Sequence, residues 1–132
     1  MIAADTSTWI AFLEGRQGED ALLLDRVLED RQVLMVPVVL TELLSDPQLP
    51  SSVAETLSQV PMIEVAPDYW QRAGLLRAKV LATGRKARLG DALIAQTCID
   101  RGIPLVTRDR DFRAFADTAG LDVCVVLKLQ PG

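Results

Sequence analysis

Five acidic residues stand where apolar segments end or are interrupted: Asp5, Glu42, Asp91, Asp109 and Asp111. Asp5 closes the apolar run Met1 to Ala4, and Glu42 breaks the apolar body of VVLTELL. Asp91 opens the almost wholly apolar stretch Ala92 to Ile99, and Asp109 and Asp111 follow Leu105 and Val106 in TRDRDF. Carboxylates at such margins are costly unless something positive neutralises them. Oxygen donors without histidine or cysteine suit a hard divalent cation, Mg2+ or Mn2+. Such an ion lowers the pKa of a bound water and screens charge on a phosphate under attack. The chain contains no histidine, which excludes Ser-His-Asp and Cys-His catalysis and His-ligated metals. Cys98 and Cys124 lie in apolar segments and read as buried thiols, not as a disulfide or zinc pair.

A net charge of −4 opposes nucleic acid at first sight, but the charge is unevenly spread. From Asp68 to Asp91 there is no acid, while Arg72, Arg77, Lys79, Arg85, Lys86 and Arg88 are all basic. Arg85, Lys86 and Arg88 directly precede Asp91, and Arg108 adjoins Asp109, so these four are candidates to hold a polyanion beside a metal-loaded acidic crevice. A solvated helix face followed by a basic loop accounts for the basic run equally well. Each acid also has a structural use: Asp5, Asp109 or Asp111 as a helix cap, Asp91 as a charge on a helix dipole, Glu42 as the exposed position of an amphipathic turn.

The elements that must position these residues follow from periodicity. Short apolar segments predict strands at Met1 to Ala4, Val33 to Val36, Met62 to Val65, Leu105 to Val106 and Asp122 to Leu127. Helices are predicted from about Thr8 through Leu13 with Thr6 or Ser7 as cap, and over Leu22 to about Asp30. Others are expected from Pro37 to Leu44, from a Ser51 or Ser52 cap to about Val60, and from an Asp68 cap over Tyr69 to Thr83. Two more run from Asp91 to Asp100 and from Asp111 to Ala119, stopped by Gly102 with Pro104 and by Gly120. Strands alternating with helices indicate an α/β fold, a three-layer α/β/α sandwich around a mainly parallel sheet. Acids beyond strand carboxyl ends then lie on the edge where open sheets build sites. Strand order is not visible in the sequence; Asp5 and Asp109 share a crevice if the first strand and Leu105 to Val106 are neighbours.

A length of 132 residues, 49% of them hydrophobic, suits one domain over residues 1–132 with a real core. No apolar run reaches the roughly 18 residues of a membrane span, and the first residues carry no leader pattern. A cytoplasmic protein is expected.

The segments IAADTSTWI, VVLTELL, LGDALIAQ and VTRDRDF together resemble the PIN-domain ribonucleases, and the size resembles the VapC-type toxins of toxin-antitoxin pairs. The resemblance spans nearly the whole chain and keeps the family's order and spacing. It implies an endoribonuclease that uses Mg2+ or Mn2+, forms a homodimer and is silenced by a cognate antitoxin that blocks the crevice. It maps the family's first three acids onto Asp5, Glu42 and Asp91, and the fourth onto TRDRDF, where Asp109 is preferred and Asp111 stays open. Asp5 and Asp91 are then the principal metal ligands and Asp109 a supporting one, with Glu42 positioning or deprotonating the attacking water. Thr6, Ser7 and Thr107 orient these groups by hydrogen bonds, a place where hydroxyls also serve as plain caps. The sequence leaves open an RNA-maturation or DNA nuclease of the same fold, a metal-dependent phosphatase, and a non-catalytic interaction module.

Overall fold

The computed structural model describes residues 1–125. In chain order the elements are β1 (Ile2–Ala4), α1 (Thr6–Leu13), α2 (Glu19–Glu29), β2 (Val33–Leu34), α3 (Pro37–Leu44), α4 (Ser51–Ser58), α5 (Tyr69–Ala82), α6 (Leu89–Arg101), β3 (Leu105–Thr107), a 3₁₀ turn (Arg110–Phe112), α7 (Arg113–Ala119) and β4 (Val123–Val125). The strands form one parallel sheet in the order β2-β1-β3-β4. This is the predicted α/β/α architecture. Parallel neighbours need long crossovers, so helices must intervene between strands. With both faces covered, the strands are apolar on both sides. Ala3, Ala4, Leu105 and Val106 are accordingly buried. No helix among the described residues is long and apolar enough to cross a membrane.

β1 lies beside β3, with Ala3 opposite Leu105 and Ala4 opposite Val106. The ladder continues one step further, because the Asp5 N–H donates to Val106 O at 3.1 Å. The residue after β1 is therefore pinned to the end of β3. The 3₁₀ turn beyond β3 is anchored from below by Phe112, fully buried and 6.1 Å from the ring of Phe115. Burying an aromatic side chain of this kind contributes about 2 kcal/mol, which keeps the acidic turn on the domain.

α6 is buried along most of its length, and its polar residues tie it to α5. Tyr69 Oη donates to Leu93 O at 2.6 Å and accepts from Thr97 Oγ1 at 3.1 Å. Gln96 Nε2 donates to Asp100 Oδ1 at 2.8 Å, and Asp100 also pairs with Arg72 of α5. Tyr69→Phe removes the hydroxyl from this junction. It is expected to cost about 1 kcal/mol and to lower the melting temperature by about 4 °C, read by thermal denaturation. Gly102 takes a left-handed φ of 61° at the end of α6, the backbone state that favours glycine in this capping position.

Several local expectations are corrected. Met62 to Val65 is not a strand. Met62 makes a single bridge to Met35, carried by Met35 N to Pro61 O at 2.7 Å and Ile63 N to Met35 O at 2.9 Å. The strand predicted to end at Val36 covers only Val33–Leu34, because Pro37 starts α3 and Val36 already occupies its N-cap. Glu64 and Val65 thus have no strand beside them to extend. α1 begins at Thr6, and its cap is Asp5 instead of Thr6 or Ser7. Ser51 is the first residue of α4 behind Pro50, and Asp68 precedes α5 in a left-handed conformation without a side-chain cap bond. The last predicted strand is present as Val123–Val125; its continuation to Leu127 lies outside the described residues.

Candidate active site

The carboxyl ends of β1 and β3 and the N-terminal turns of α1 and α6 converge on one acidic crevice. Asp5, 3% exposed, caps α1 and is enclosed by donors. Its Oδ1 accepts from Thr8 N at 3.1 Å, Ser7 Oγ reaches both oxygens at 2.9 and 2.8 Å, and its Oδ2 accepts from Thr107 Oγ1 at 2.7 Å. Burial pushes the Asp5 carboxyl above its usual range, and the Thr107, Ser7 and Thr8 hydrogen bonds pull against that. Thr107 Oγ1 also accepts from Asp109 N at 2.9 Å, and Asp109 Oδ1 accepts from Asp111 N at 2.9 Å. One hydroxyl thereby couples the acid after β1 to the acid after β3.

Asp91 stands in the first turn of α6, where the helix dipole favours a negative charge. It nevertheless carries the most displaced carboxyl of the crevice, pushed up to about 6. Burial is the main cause, followed by repulsion from Asp109; Arg88 opposes the rise, and Asp5 and Asp111 add to it. Asp91 Oδ2 is buried without a hydrogen-bond partner. Asp91, Asp109 and Asp111 offer carboxylate oxygens within 4.8 Å of one another. A buried, unpartnered oxygen on a carboxylate grouped with two others is a strong acceptor with nothing to accept, and an oxygen-coordinated divalent cation would satisfy it.

Glu42 is exposed on α3, with Oε1 accepting from Thr6 Oγ1 at 2.7 Å. Its carboxylate also borders α6: a Cβ placed on Gly90 would lie 3.7 Å from Glu42 Oε2. The structure thus sets Glu42 against the turn that carries Asp91. Of the acids read from the sequence, Asp91, Asp109 and Asp111 form the tight group. Asp5 lies behind Thr107, and Glu42 rests on the α1 and α6 turns.

The basic residues divide by their contacts. Lys86 Nζ lies 3.7 Å from Asp111 Oδ2, and Arg85 pairs with Asp117 at 2.7 Å. Arg88 occupies the N-cap position of α6 beside Asp91. Arg108 faces another way. Its Nε and one terminal nitrogen each donate to Asp20 at 2.8 Å, and the same terminal nitrogen reaches Gln17 O at 3.2 Å. Asp20, 2% exposed, also accepts from Thr8 Oγ1 at 2.9 Å. Sequence reasoning passes over Asp20 and Thr8. An acid in the first turn of α2 reads as a dipole partner, and no local pattern joins it to a residue after β3.

A parallel α/β/α domain with carboxylates gathered at the carboxyl edge of its central strands is the class of protein that this fold and site define. The PIN domain family model matches residues 2–118, and the chain belongs to that family. It is 29% identical over 125 residues to Ribonuclease VapC5 of Mycobacterium tuberculosis, covering 90% of each chain. The solved VapBC-5 toxin-antitoxin structure from Mycobacterium tuberculosis aligns with a TM-score of 0.69 at 25% identity, over 95% of this chain and 98% of that one. DNA-bound VapBC from Salmonella typhimurium aligns with a TM-score of 0.72 at 19% identity, over 96% and 100% of the two chains, a likeness of fold.

Proposed function

We propose that this protein is a divalent-metal-dependent endoribonuclease, using Mg2+ or Mn2+, and the toxin of a toxin-antitoxin pair. The observation that carries the reading is the unpartnered, buried Asp91 Oδ2 within a group of three converging carboxylates. The family membership and the ribonuclease relatives agree with it.

Asp91 and Asp109 would hold the cation with Asp111 alongside; Asp5, expected from the sequence as a principal ligand, has both oxygens engaged by hydrogen bonds and would act from outside that group, its charge felt at Asp91. When bound, the cation supplies an activated water and screens the attacked phosphate. Glu42, its Oε1 occupied by Thr6, keeps Oε2 free to orient the attacking water and take its proton. Ser7, Thr8 and Thr107 hold Asp5 in one orientation. Arg85, Lys86 and Arg88 hold the RNA backbone at the rim. In this reading the protein works in the cytoplasm as a homodimer, and a cognate antitoxin covers the crevice.

Incubation of the purified protein with total cellular RNA, with Mg2+ or Mn2+ and in parallel with a chelator, tests the reading by mapping new RNA ends. Metal-dependent internal cuts are expected. Cleavage of a matched DNA in preference to RNA, turnover of a small phosphate ester without RNA cleavage, or no Mg2+ binding by calorimetry each contradicts it. Replacing Lys86 and Arg88 together with Ala is expected to weaken RNA binding about tenfold and to flatten its salt dependence by up to two phosphate contacts. A binding titration at several salt concentrations reads both, and an unchanged slope would assign the two residues to the surface alone.

A further inference from the structure

The Thr8 hydroxyl, Asp20 and Arg108 close a ring of contacts through Asp5, and the proposed chemistry does not use these three groups. Asp5 accepts from the Thr8 N–H, and the Thr8 hydroxyl donates to Asp20. Asp20 takes both arms of the Arg108 fork at 2.8 Å. Arg108 is covalently joined to Thr107, which donates to Asp5, and to Asp109, whose N–H donates to Thr107. The circuit therefore leaves Asp5 through α1 and α2 and returns to it through the end of β3. Thr8 is 0% and Asp20 2% exposed.

We propose that Arg108 and Asp20 are positioning residues: their forked ion pair locks the turn carrying Asp109 to the helix start carrying Asp5, setting the width of the cation crevice. The inference rests on the reading that these two acids border a cation site. Three observations support it. First, the circuit closes on Asp5 and passes the backbone joined to Asp109, so it ties site carboxylates together. Second, the pair is a bidentate fork on a buried carboxylate, Asp20 being 2% and the Arg108 side chain 29% exposed, and such forked pairs add geometric specificity as well as energy. Third, Gly18 makes room for the fork. It has φ +150°, and a Cβ there would lie 2.6 Å from both the Arg108 terminal nitrogen and Asp20 Oδ1. The pair also turns the Nε edge of Arg108, next to the crevice in sequence, toward Asp20, its planar fork matched to that carboxylate.

Three variants test this. Arg108→Gln removes the charge, Arg108→Lys keeps the charge but not the fork, and Gly18→Ala obstructs the fork without changing either partner. Amide hydrogen exchange of the metal-free proteins, Mn2+ affinity by calorimetry, and kcat and KM on an RNA oligonucleotide are compared with the wild type. In all three, the Thr8 and Asp109 amides are expected to exchange about tenfold faster, while the Leu105 amide in the sheet is unchanged. Mn2+ is expected to bind about tenfold more weakly, the usual effect of losing a partner behind the ligands, and kcat to fall with KM held. Arg108→Lys, which keeps a cation beside Asp20, is the variant that secures a folded protein for the comparison. Wild-type Mn2+ affinity and local exchange in Arg108→Lys would overturn the proposal. So would parallel loss of protection at Leu105, which marks a merely structural role. If the wild type cleaves no RNA while the exchange and affinity changes appear, the positioning role stands and the ribonuclease reading fails.

Discussion

Asp91→Asn is expected to abolish RNA cleavage and, in metal-free buffer at neutral pH, to raise the melting temperature by about 4 °C. Both results come from the same carboxylate. Its charge is what the cation needs, and without a cation that charge is a burden: Oδ2 has no partner, and Asp109, Asp5 and Asp111 repel it. The rise from 3.8 to about 6 converts to about 3 kcal/mol unscreened, and solvent screening of a partly buried group leaves about 1 kcal/mol. Since the folded chain holds this proton more tightly than the unfolded chain does, stability falls as pH rises from about 4 through 6 and stays low above it. The wild type in chelator should show that decline from Asp91 and the Asn variant should lack it. Saturating Mg2+ should stabilise the wild type at pH 7 and leave the variant unmoved. Denaturation scans across pH, with and without Mg2+, check every part. Full cleavage by the variant would remove Asp91 from the site.

Thr107→Val should lower kcat by about 10- to 100-fold and destabilise the protein by about 2 kcal/mol. Valine keeps the shape but loses the hydroxyl that donates to Asp5 Oδ2 and accepts from Asp109 N. The Asp109 N–H then lacks its partner, Asp5 Oδ2 keeps only Ser7 Oγ, and the link between the acid after β1 and the acid after β3 is cut. Asp5, already pushed up by burial, loses the largest of the hydrogen bonds that hold it down, so its carboxyl should rise further. The activity profile should accordingly shift to higher pH. Thr107→Ser keeps the hydroxyl and is expected to restore most of the activity, which separates the hydrogen bond from the packing of the methyl group. A valine variant with wild-type kcat would show that the hydroxyl is only a strand-end cap.

The α/β/α class and most helices are legible in the chain because burial imposes a period: apolar residues must recur along one face wherever a helix or strand meets the core. Gly102 and Gly120 mark helix ends for an equally local reason, the left-handed backbone at each. Where local signals compete, they mislead. Met62 to Val65 looks like a strand, but a strand also needs a neighbour, and Pro37 ends that neighbour early. Thr6 and Ser7 look like caps, yet Asp5 takes the role and Ser7 serves Asp5 instead. The forked pairing of Arg108 with Asp20 has no local signal at all.

The sequence by itself determined the layered class of the fold, the place of each acid beside an apolar segment, and the exclusion of histidine chemistry. Only the tertiary structure decided that β1 and β3 are neighbours, that Asp91, Asp109 and Asp111 converge within 4.8 Å while Asp5 sits behind Thr107, and that Arg108 turns away to Asp20. The reason is physical. Periodicity and capping are settled within a few residues of chain, whereas strand order and the partner of a charged side chain depend on which remote segments burial brings together.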